Sequence, residues 1–92
     1  MYLVDIKDSD TRFPRICLYG RVSHSDVVKD VIDNVINGSN NIKTVIVDLS
    51  GAESICEECF FVLVDLAALH KIKFIGYSLF LEDELKRYGL IK

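Results

Sequence analysis

TVIVDLSGAESICEECFF, residues 44–61, carries the two features on which a reading of this chain turns: an unbroken apolar run, then two cysteines flanking two glutamates. The run over residues 44–49 is apolar on both sides of a two-residue period, which predicts a central strand covered on both faces. Ser50-Gly51-Ala52-Glu53 has turn composition. Beyond it, Phe60, Leu63, Val64 and Ala67 fall on one face of a helix running to about His70. Ser54-Ile55-Cys56-Glu57 has the S-x-x-E form of a capping box at the start of that helix.

The pattern extends in both directions. Towards the C-terminus, residues 73–76 read as a strand and residues 82–88 as a short helix stopped by Gly89. Towards the N-terminus, residues 2–7 alternate, with Tyr2, Val4 and Ile6 on one face, and residues 8–14 form a polar turn ending at Pro14, the chain's one proline. A second strand follows over residues 15–19 and Gly20 ends it. Ser23-His24-Ser25-Asp26 has the form of a second capping box, opening a helix. Val27, Val28, Val31, Ile32, Val35 and Ile36 supply its apolar face, and Asn37-Gly38-Ser39-Asn40 stops it. The fold class read from this order is α/β: a single-layer mixed sheet of about four strands with three helices, β-β-α-β-α-β-α, in one domain spanning residues 1–92.

Composition narrows the function. Eleven basic residues against fourteen acidic ones give a net charge of −3, with the basic residues scattered singly. That balance argues against binding a nucleic-acid backbone, which needs a clustered basic surface. No apolar run reaches the length of a membrane span, and no basic amphipathic helix suits a lipid surface. The first residues lack a secretory pattern, so the expectation is a cytoplasmic protein with reduced thiols at Cys17, Cys56 and Cys59.

The Cys56-Glu57-Glu58-Cys59 segment admits several chemistries. A C-x-x-C pair at a strand-to-helix junction fits a thiol redox centre, because a helix N-terminus stabilises a thiolate. The two glutamates oppose that by placing negative charge beside both sulfurs. Zinc needs four ligands in a closed site, and Cys17, His24 and His70 stand at no ligand-type spacing from the pair. His24 beside a helix start and His70 at a helix end have structural explanations. No nucleophilic triad and no glycine-rich phosphate loop can be assembled. The glutamates also suit a helix's first turn, where a carboxylate gains about 0.3–1 kcal/mol from the dipole.

The stretch Val45-Ile46-Val47-Asp48-Leu49-Ser50-Gly51-Ala52-Glu53-Ser54-Ile55 resembles the STAS family, the sulfate-transporter and anti-sigma-factor-antagonist domains. In that family a buried strand ending in D-L-S leads through a short turn to D-S-S-G-L at a helix start. Gly20-Arg21-Val22, Phe74-Ile75-Gly76-Tyr77-Ser78 and Tyr88-Gly89-Leu90 match further family features, so the resemblance spans residues 15–91. Aligned residue by residue, Asp48, Leu49 and Ser50 match D-L-S. Cys56 stands at the family's aspartate, Glu57 at the serine or threonine that a cognate kinase phosphorylates, Glu58 at the next small residue and Cys59 at the glycine.

The resemblance implies a non-catalytic regulatory protein-interaction module without metal or cofactor. Its partner surface would comprise Glu53, Ser54, Cys56, Glu57 and Glu58, with the phosphoacceptor position filled by the non-phosphorylatable Glu57, whose fixed charge either attracts such a partner or keeps it off. The implied partner is an anti-sigma or kinase-like protein, or a transporter to which the chain serves as an accessory subunit. A thiol redox protein using Cys56 and Cys59 is the alternative from the residues themselves.

Overall fold

The computed structural model describes residues 2–7, 13–38 and 44–92. Along the chain lie β1 (Tyr2–Lys7), β2 (Arg15–Val22), α1 (Ser25–Asn37), β3 (Val45–Ile55), α2 (Glu57–Leu69), β4 (Ile72–Ile75) and α3 (Leu79–Arg87). β2, β3 and β4 form a parallel sheet with β3 in the middle, and β1 pairs antiparallel with β2 at the edge. The alternation expected along β1, most of the turn at residues 8–14, and Ser39 with Asn40 lie outside the described residues and side chains.

Burial along β3 alternates: Val45, Val47 and Leu49 are buried, Ile46 and Asp48 half-buried, Ser50 exposed. The buried set joins Ile16 and Leu18 of β2, Phe74 of β4, Ile32 of α1, Leu63 of α2 and Leu85 of α3 in one core. The helices therefore cover one face of the sheet, which corrects the expectation of a strand buried on both sides. An apolar run records β-propensity as well as burial, and Ile46 supplies the first with only partial burial.

The largest departure lies at residues 50–53, where no turn forms. β3 runs unbroken to Ile55, and residues 15–22 of β2 pair against residues 46–55. Ten residues facing eight require two extra residues in β3, taken up at the register shifts between Cys17 and Tyr19 and between Gly20 and Arg21. The turn-like composition is thus bulge composition. In the first bulge Asp48 Oδ1 accepts the backbone N–H of Ser50 at 2.9 Å and also the Ser50 hydroxyl. Gly51 lies under the Tyr19 ring, where a Cβ would come within 2.3 Å of Cδ1. β2 likewise passes through Gly20 instead of ending there.

Both expected capping boxes are also corrected. α1 is capped by His24, whose side chain makes no capping hydrogen bond, so Ser23 precedes the helix instead of opening it. Ser54 belongs to β3 and the cap of α2 is Cys56. At the other end of α1, Gly38 has φ −80°, a right-handed conformation, and its N–H bonds the Asn34 carbonyl. α3 begins at Leu79, earlier than expected, because Ser78 caps it by accepting the Leu81 N–H.

Candidate functional site

The end of β3 delivers Cys56 to a defined place. Val22 and Ile55 are the last paired residues of β2 and β3, and the Cys56 N–H continues the ladder by bonding the Val22 carbonyl at 2.9 Å. Ser23, which follows Val22, is thereby brought beside Cys56. Cys56 then caps α2: its backbone is extended, its carbonyl accepts the Phe60 N–H at 3.1 Å, and its Sγ accepts the Cys59 N–H at 3.4 Å. A sulfur takes the place that a serine or aspartate oxygen commonly fills.

Glu57 and Glu58 occupy the first turn of α2 and are exposed. With Ser23, Cys56 and Phe61 they line an open depression of about 560 Å³. Phe61 is 52% exposed yet held in place, its ring edge-on to Tyr88 at 5.9 Å, while the adjacent Phe60 is buried and stacked on the same tyrosine at 4.5 Å. The structure thus brings together three of the five residues expected at the site. Glu53 and Ser54 stay in β3 and do not line the depression, and Ser54 pairs with Arg21 in the sheet.

Sequence reasoning missed Ser23 and Phe61. Ser23 read as a cap, and only the pairing of β2 with β3 places it here. The expected face of Phe60, Leu63, Val64 and Ala67 is corrected to Cys59, Phe60, Leu63 and Leu66, and Phe61, off either face, was hidden because α2 is apolar nearly all round and an outward apolar residue gives no separate signal.

The two thiols of the segment are free and their sulfurs share a hydrogen bond at 3.3 Å. Cys56 is half-buried at the wall of the depression and Cys59 is fully buried behind it. Burial pushes the Cys59 thiol up to about 12, helped by the Cys56 sulfur and by the carboxylates of Glu58 and of Asp26 in the first turn of α1. Two helix N-termini and three carboxylates, Asp26, Glu57 and Glu58, therefore gather at this end of the molecule. Cys17 is buried apart from the helix-covered core. Among the described residues no group of three His, Cys, Asp or Glu side chains is placed to hold a metal ion, and no helix is long and apolar enough to cross a membrane.

No family model matches the sequence, and no curated protein does. Solved structures do. The chain is similar to the anti-sigma factor antagonist SpoIIAA in its unphosphorylated form (TM-score 0.65, 11% identity, over 94% of this chain and 82% of that one). It is also similar to the Bacillus cell fate determinant SpoIIAA in its phosphorylated form (TM-score 0.71, 13% identity, 96% and 85% covered). A third likeness is to an antisigma-factor antagonist STAS domain from Rhodobacter sphaeroides (TM-score 0.52, 17% identity, 83% and 87% covered). The fold is STAS-like.

Proposed function

We propose that this chain is a STAS-type regulatory module that binds a protein partner through the depression at the start of α2, without catalysing a reaction. The observation that carries this reading is Phe61: a large apolar ring, half exposed and braced by Tyr88, set beside Glu57 and Glu58 in one open depression. Aromatic residues held at low conformational cost are the usual anchors of protein interfaces. Flanking carboxylates add a charge pattern that selects a basic partner surface. The likeness to anti-sigma factor antagonists supports a protein partner of the anti-sigma class; a kinase-like partner, a transporter with this chain as accessory subunit, and a cytoplasmic setting follow from the sequence resemblance alone.

In this reading Glu57 stands where the resemblance places a regulated serine. Phosphorylation there would add about −1.5 to −2 charges, whereas glutamate supplies one permanent charge and has no hydroxyl to modify. The surface is then constitutively acidic, and its partner is chosen by that charge instead of being released by it.

Affinity capture from the native host tests the reading. Wild-type chain is expected to retain a partner that Phe61→Ala and the double variant Glu57→Lys/Glu58→Lys lose at least tenfold, while Lys73→Ala on β4 keeps it. Equal retention by all four proteins, or no partner for any of them, would refute it.

A further inference from the structure

We propose that Cys56 and Cys59 form a reversible disulfide, made by exchange with a low-molecular-weight disulfide, so that the start of α2 exists in two chemical states. The sulfurs already lie 3.3 Å apart. A disulfide bond is about 2.0 Å long, so they need approach by only about 1.3 Å, within reach of side-chain torsion. A cap residue and the third residue after it sit about one helical turn apart, on the same side of the helix.

The two thiols are placed unequally, which sets the order of events. Cys56 lines the depression and meets an external disulfide first, whereas Cys59 is enclosed behind it. Cys56 gives its proton to water, its thiolate attacks one sulfur of the small disulfide, the sulfur–sulfur bond breaks, and one small thiolate leaves and takes up a proton. Cys59 then gives its proton to water, its thiolate attacks Cys56 Sγ, and the second small thiolate leaves and is protonated. Two protein thiols are oxidised to one disulfide and the small disulfide is reduced to two thiols. Excess small thiol reverses the sequence.

The environment of Cys59 tunes the second step. Burial foremost, and then the carboxylates of Glu58 on α2 and Asp26 on α1, disfavour its thiolate. Ring closure is therefore slow at neutral pH and accelerates as pH rises. Cys17 is buried in β2, outside the core cluster that holds Cys59, and takes no part. Oxidation also alters the Cys56 sulfur that accepts the Cys59 N–H and walls the depression, so the partner surface changes with it. That last consequence rests on the proposed interaction; the disulfide itself does not.

The test uses the full chain in mixtures of reduced and oxidised glutathione, quenched with acid, alkylated and mapped by peptide mass. The wild type is expected to form a Cys56–Cys59 bridge within one chain, to return to two thiols with dithiothreitol, and to leave Cys17 alkylatable after unfolding. Cys59→Ala and Cys59→Ser are expected to stop at a glutathione adduct on Cys56, and Cys56→Ser to give no adduct. Wild type that accumulates the Cys56 adduct without a bridge, stays reduced at every ratio, or bridges between chains would overturn the proposal. Capture of the partner by separately prepared reduced and oxidised protein reads the regulatory consequence: equal capture refutes that consequence while the bridge stands.

Discussion

At the scale of single residues, Cys56 and Cys59 give the sharpest expectations. Sulfur is a weak acceptor for an N–H, and serine is a preferred helix cap. Cys56→Ser is therefore expected to raise stability by about 0.5–1 kcal/mol, read as a higher urea midpoint at unchanged slope. Cys59 adds a pH dependence whose sign follows from its environment. An unfolded chain releases this proton near the ordinary thiol value of 9.0, whereas the folded chain holds it to about 12. Stability is thus whole below about pH 9 and falls as pH rises towards 12, by at most about 1.4 kcal/mol per pH unit. Urea titrations of wild type and Cys59→Ala at about pH 8 and about pH 10 are expected to differ by this slope, steeper in the wild type.

At the scale of elements, the bulged β3 is what aims α2. Gly76, following β4, has φ +70° and packs so tightly on the first bulge that a Cβ would meet Ser50 Oγ at 2.2 Å and Asp48 Oδ1 at 2.9 Å. Gly76→Ala is expected to cost about 1–3 kcal/mol, since it combines a left-handed backbone with a steric conflict. Gly89→Ala shares the positive φ but meets nothing within 4 Å, and is expected to cost less. The same bulges explain where the sequence was legible and where it was not. Val45, Val47 and Leu49 as strand residues and the amphipathic face of α1 could be read from local pattern, because burial leaves a short-range signal; the helix caps could not, and lie at His24 and Cys56 instead of Ser23 and Ser54. Ser50 to Ile55 could not, since Ser-Gly-Ala-Glu composition suits a turn and a bulge alike, and only the register against β2 decides between them. Ser23 beside Cys56 is a product of that register too.

At the scale of the whole molecule, a STAS-like fold carries the proposed contact surface at one end of its sheet. The helices cover one face of the sheet, and the paired ends of β2 and β3 set the starts of α1 and α2 side by side, with Glu57 and Glu58 lining the depression beside Phe61 and Asp26 near enough to act on Cys59. The competing apolar feature is at the start of α3, where Leu79 is 82% and Phe80 62% exposed, both outside the depression. Hydrogen exchange on the complex with the captured partner separates the two surfaces most directly. The expected result is added protection of the backbone amides of residues 56–61 and of Ser23, reduced in Phe61→Ala; protection confined to Leu79, Phe80 and the rest of α3 would contradict the account.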